Sequence, residues 1–141
     1  PVHKRYDLLR TMLWNEILKN KLGCEGKINT VVYLYNYTNT TFDIVATQGA
    51  MGNYLTDVKK EYNESIILIP IAADTGVQTL DLIRERFNIT HVPVIIINEK
   101  YKFETLDSLK DIRGILNATI ENEKKKSSFN NSLINKSTFI K

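Results

Sequence analysis

The sequence predicts an α/β domain in which a four-stranded mixed sheet, built in the order β-α-β-α-β-β-α, is flanked by helices and preceded by an extra N-terminal amphipathic helix. Three observations lead there. Apolar runs rich in β-branched residues occur at Thr30–Tyr35, Ser65–Ile71 and Val92–Ile97, the signature of buried strands. The stretches between them carry apolar residues at three- and four-residue spacing, the period of a helix packed on one side. Asn98-Glu99-Lys100 then turns the third run back into Tyr101-Lys102-Phe103, as a hairpin does.

Each element follows from its own pattern. Residues 3–22 set Tyr6, Leu9, Met12, Leu13, Ile17 and Leu18 on the apolar face of the first helix, which stops at Gly23. Trp14 lies off the centre of that stripe and is expected to be partly buried. The polar loop Asn36–Thr41 follows the first strand, and Met51, Tyr54, Leu55, Val58 and Tyr62 place a second helix at about 51–62. Ser65–Ile71 is apolar on both faces, as a central or parallel strand requires, although Pro70 removes one ladder donor. A third helix spans Val77–Phe87. The alternation in Tyr101–Phe103 marks a half-exposed edge strand. Thr105 opens the last helix, with Leu106, Leu109, Ile112 and Leu116 at helical spacing, and from Asn122 onward the chain is too polar to build a core and reads as a mobile tail or linker. The resulting division is an N-terminal helix packed on the domain (1–26), the domain itself (27–121) and a polar basic tail (122–141).

Composition narrows the function classes. With 141 residues and 43% hydrophobic content, one core can bury about two thirds of the unfolded chain's surface. The net charge of +3 sits in residues 121–141, which hold five Lys and two Glu, while residues 1–120 are neutral. A neutral body with a short basic tail argues against a nucleic-acid partner. No apolar run approaches the roughly 18–20 residues that span a bilayer. The chain is therefore expected to be soluble, and because it opens on Pro1 it is expected to be a processed product or a piece of a longer chain, ahead of which a signal peptide or membrane anchor is compatible with everything seen. A single cysteine, Cys24, leaves no intrachain disulfide or Cys-x-x-Cys chemistry. His3 and His91 are too few and too separated for a metal motif, so neither metal nor cofactor is expected.

The segment Phe87-Asn88-Ile89-Thr90-His91-Val92-Pro93-Val94-Ile95-Ile96-Ile97, together with the order of elements over residues 30 to 120, resembles the thioredoxin-like superfamily. In that family a hydrophobic-Pro pair with a cis peptide bond starts the third core strand. The resemblance implies a cis Val92-Pro93 bond, which costs only about 0.5–1 kcal/mol for an X-Pro pair; an ordinary trans proline at a strand's first residue is also chemically permitted. The departures are as informative. Where redox members carry Cys-x-x-Cys, this chain reads Asn36-Tyr37-Thr38-Asn39-Thr40-Thr41-Phe42, and Tyr33 stands where they carry an acidic residue in the first core strand. Disulfide exchange needs a thiolate there, so no catalytic residue is assigned. His91 is the sole nearby base for a hydroxyl nucleophile and reads instead as a loop residue beside a vestigial site. Cys24 is either a small, partly buried residue or a thiol that pairs with another chain.

Asn-x-Ser/Thr occurs at Asn36, Asn39, Asn63, Asn88, Asn117, Asn130 and Asn135, against about two expected by chance from the Asn, Ser and Thr content. Selection of N-glycosylation acceptors explains the excess; compositional bias in an Asn-rich chain is the competing explanation. Used acceptors place the domain outside the cytoplasm, on an archaeal-type cell surface, in the exterior or in a secretory lumen. The expected function is a non-catalytic thioredoxin-like domain acting in protein binding, or in self-assembly as a structural module of a glycosylated surface complex, with a groove formed by Tyr37, His91, Val92 and Pro93. The alternative is a redox or maturation accessory that uses Cys24 or a partner's cysteine, or the soluble part of a membrane-anchored maturation or glycosylation complex.

Overall fold

A computed structural model describes residues 2–21 and 29–139, with the side chains of Lys21 and of residues 136–139 left aside. The chain divides into two compact units, Pro1–Leu109 and Lys110–Lys141. The boundary falls inside the stretch 105–116 that the sequence reads as one closing helix.

The first unit runs α1 (Val2–Lys21), β1 (Asn29–Tyr35), α2 (Phe42–Tyr62), β2 (Ile66–Ala72), α3 (Gln78–Arg86), β3 (Val94–Ile97) and β4 (Tyr101–Phe103). The strands form one mixed sheet in the order β2-β1-β3-β4. β1 and β2 are parallel, in the register Val31↔Leu68, while β3 is antiparallel to β1 and β4 to β3. The expected strand and helix order is thus found. β2 occupies an edge rather than the centre, where the missing donor of Pro70 is tolerated.

Alternation along the strands sorts the core. Val32, Leu34, Ile69, Ile71, Val94 and Ile96 point to one face and join Trp14 and Ile17 of α1 with Leu80 and Ile83 of α3. On the other face, Val31, Tyr33, Ile95 and Ile97 are buried, as are Met51, Leu55 and Val58 of α2, and the Tyr33 hydroxyl donates to the Gln48 carbonyl of α2 at 2.9 Å. Burying each of these aliphatic side chains contributes about 1.5–3 kcal/mol.

The sequence reading is corrected at several points. α1 does not turn its apolar stripe inward. Its buried line is Asp7, Thr11, Trp14 and Ile17, while Tyr6, Leu9, Met12 and Leu13 are exposed. Trp14 is the fully buried centre, because its indole Nε1–H finds Glu99 Oε1 at 3.1 Å and its ring stacks near Phe87. Asp7 is drawn in by its partners: Oδ1 accepts from the Ala72 backbone N–H at 2.9 Å. α2 starts at Phe42, nine residues early, because the Thr41 side chain accepts from the Ile44 N–H as an N-cap. No residue of its first turns is buried, the first buried one being Met51. β3 begins at Val94, so His91, Val92 and Pro93 precede it.

β3 and β4 are joined by the three residues Asn98–Lys100: Asn98 and Glu99 both sit at positive φ (52° and 58°), and the Lys100 N–H closes the turn on the Ile97 carbonyl at 3.1 Å. Asn98 Oδ1 accepts from the Thr30 N–H, and Glu99 Oε1 accepts from the Thr30 hydroxyl at 2.7 Å.

In the second unit, α4 spans Ile112–Phe139 after a short 3-10 turn at Asp107–Asp111. Thr105 therefore opens that turn rather than the helix. The stretch expected to be a polar tail is helical through Phe139. It contains no Pro, and once the first turns are formed each further residue adds a hydrogen bond at low cost even without an apolar face. Nearly every side chain of residues 121–135 is exposed. No helix among the described residues is long and apolar enough to cross a membrane.

Candidate functional site

The parallel strands β1 and β2 end together at Tyr35 and Ala72. The pairing Leu34↔Val94 makes Pro93 the next residue beyond the sheet at that same end. The topology thus brings the loop Asn36–Thr41 and the segment His91–Pro93 to one rim, the place where open α/β sheets bind their ligands. The Val92–Pro93 bond is cis. Val92 packs partly against the core, and His91 and Tyr37 are exposed.

The loop is held from two sides. Gln48, on α2, grips Asn36: Oε1 accepts from the Asn36 N–H at 2.7 Å while Nε2 donates to the Asn36 carbonyl at 3.0 Å. Asp74, just past β2, accepts from three successive backbone N–H groups, those of Tyr37, Thr38 and Asn39, at 2.7–2.8 Å, and from the Thr38 hydroxyl at 2.8 Å. Burial alone would raise the Asp74 carboxyl, but the N–H groups of Asn39, Tyr37 and Thr38 and the Thr38 hydroxyl together hold it down at about 2. The carboxylate is charged at any physiological pH and clamps the loop in one conformation.

Beneath the loop lies α1. Asp7 Oδ2 is 2.9 Å from His3 Nδ1 and 3.2 Å from the Thr75 hydroxyl, and the His3 ring stacks on Tyr37 with centroids 3.8 Å apart. Two tyrosines close the base. Burial pushes Tyr33 up to about 12, with Tyr35 adding to it. Burial and then the Asp7 carboxylate raise Tyr35, with the Arg10 guanidinium pulling the other way. Both phenols stay protonated.

The Thr38 and Thr75 hydroxyls of this arrangement are each engaged by a carboxylate. The Thr75 hydroxyl is aimed at a carboxylate and at the Ala72 carbonyl, the Thr38 hydroxyl donates to Asp74, and the His3 imidazole is covered by Tyr37. Among the described residues, no group of three His, Cys, Asp or Glu could hold a metal ion. Cys24 lies outside the described residues. The sequence reading named Tyr37, His91, Val92 and Pro93 but missed His3, Asp7, Gln48 and Asp74. For these four the only local signal is the Asp74-Thr75-Gly76 turn chemistry after β2.

The sequons divide by environment. Asn63 and Asn88 sit at positive φ (49° and 52°) after α2 and α3, and Asn63 combines it with ψ −115°, outside the left-handed helical region. Asn39 is exposed and Asn36 half-buried in the clamped loop; Asn117, Asn130 and Asn135 are exposed along α4. Asn88 and Thr90 also line a cavity of about 590 Å³ with Asp81, Arg84 and Glu85. Arg84 Nε is buried there without a hydrogen-bond partner.

Compared with described protein families and with curated proteins, this chain has no match. What fold and site define is an α/β domain with a four-stranded mixed sheet whose exposed rim is a clamped, thiol-free loop.

Proposed function

We propose that the first unit is a thioredoxin-like domain that has exchanged disulfide chemistry for protein binding at the rim formed by Asn36–Thr41 and His91–Pro93, in a glycosylated, extracytoplasmic setting. The order of elements and the position of Pro93 immediately ahead of β3 support the fold assignment. The observation that carries the functional reading is the Asp74 clamp. A loop with three successive backbone donors directed at one carboxylate is preorganised, so a partner binds it without the ordering cost that a free loop imposes. Tyr37 and His91 display an aromatic ring and an imidazole at that rim, residue types suited to a binding surface.

The test is capture of partners from native extracts by the wild-type chain and by Tyr37→Ala and His91→Ala. A partner held by the wild type and lost from both variants, with unchanged circular dichroism, supports the rim as the binding surface. Equal capture by all three removes it. Intact mass of the native protein tests the setting: hexose-sized increments on the seven sequons are expected, and an unmodified mass contradicts it.

A further inference from the structure

The outer face of α1 carries six large apolar side chains in a twelve-residue span: Val2, Tyr6, Leu8, Leu9, Met12 and Leu13. Leu9 is 61% and Tyr6 57% exposed. A single exposed leucine needs no explanation, but a contiguous apolar helix face marks a contact surface. None of the seven sequons lies on α1, so no glycan attached to this helix would cover it.

The order of residues on that face indicates what does. At 3.6 residues per turn, Arg5, Leu8, Leu9, Met12, Leu13 and Glu16 fall within an arc of about 140°, and their numbers are symmetric about the midpoint between Leu9 and Met12. A two-fold axis through that point, perpendicular to the helix, lays Leu9 over Met12 of a second copy, Leu8 over Leu13, and Arg5 over Glu16. The charges are opposite at the two ends and the centre is apolar, so the face is complementary to itself in the antiparallel direction. Parallel pairing would instead set Arg5 against Arg5 and Glu16 against Glu16. Glu16 now pairs with Lys19 within its own helix at 3.3 Å, and both are well exposed; an exposed i,i+3 pair of this kind is weak enough to be exchanged.

We infer that this protein forms a two-fold dimer through antiparallel packing of α1 against α1 of a second copy, with Leu9 and Met12 at the axis and reciprocal Arg5–Glu16 ion pairs at the ends. This goes beyond the rim assigned above, since it uses the opposite face of α1 from the one that carries His3 and Asp7. Isologous contacts of this kind are the commonest symmetric interface, and a single helix pair belongs to the small, weak class, with a Kd on the order of 10 µM.

Sedimentation equilibrium of the full 141-residue chain from about 2 to about 200 µM, bracketing that Kd, tests it. The wild type is expected to dimerise. Leu9→Asp is expected to remain monomeric with an unchanged circular dichroism spectrum, because its side chain faces solvent in the monomer. Arg5→Glu and Glu16→Arg should each weaken the dimer about tenfold, and the double variant should return to near the wild-type constant, since it restores opposite charges at both ends. A wild-type chain that stays monomeric overturns the inference, as does a dimer insensitive to Leu9→Asp. Failure of the double variant to rescue overturns the antiparallel register. Binding of a monomeric wild type, but not of Leu9→Asp, to vesicles of phosphatidylcholine and phosphatidylserine would assign the face to a lipid surface instead.

Discussion

The two ends of the sheet are each organised by one acidic side chain, and they use it in opposite ways. At the hairpin end, Glu99 accepts from the indole of Trp14 and the hydroxyl of Thr30, so its charge is spent joining α1, β1 and the β3–β4 turn. At the rim, Asp74 accepts from backbone N–H groups of a solvent-facing loop, and the side chains of that loop remain on display. The first carboxylate ties the core together. The second shapes a surface, and is expected to add less to global stability than Glu99 does.

That contrast can be broken most severely at Trp14. Trp14→Ala removes the largest buried side chain and the Glu99 contact together, and should lower unfolding free energy by about 3–5 kcal/mol in urea titrations. Glu99→Ala leaves an indole N–H and a hydroxyl without this acceptor and should cost about 1–3 kcal/mol. Glu99→Gln, which keeps an acceptor, should recover most of that loss. Asp74→Ala should cost less than about 1 kcal/mol globally, since water can replace the carboxylate at an exposed site. The contribution of Asp74 has a definite pH signature. Its folded value, about 2, lies below the ordinary 3.8, so its stabilisation is present above about pH 4 and is lost as pH falls towards 2. Wild type should lose more stability than Asp74→Ala between those two pH values, and equal losses would show that the clamp is not formed. The smallest effect is expected at the start of α2, where Thr41→Ala removes a long, exposed cap and should cost about 0.5–1 kcal/mol.

The strands were legible because β-branched runs such as Ile66–Ile71 and Val94–Ile97 have no competing period, and the hairpin because Asn98 suits a left-handed turn. The orientation of α1 was not. A helix with apolar residues on most of its circumference offers two candidate faces, and the choice was made by Asp7 and Trp14, whose partners Ala72 and Glu99 are 65 and 85 residues away. Binary patterning assigns the polar side outward and has no means of seeing a buried carboxylate that finds a strand-end N–H. The rim was half legible. Pro93 and the loop could be placed at one end from element order alone, but Asp74 looked like an ordinary turn residue until its three backbone partners were in view. The helix beyond Asn122 is not legible in the sequence, because low apolar content is equally the mark of disorder, whereas a helix already nucleated can extend through polar sequence.

Amide hydrogen exchange at Tyr37, Thr38 and Asn39 tests most directly whether the rim is a preorganised surface. In the wild type at neutral pH these three amides should exchange about three- to fivefold more slowly than in Asp74→Ala, the protection that a clamp worth just under about 1 kcal/mol provides. Equal exchange in the two proteins would mean that the loop is not held by Asp74, and the proposed binding function would lose the observation that carries it.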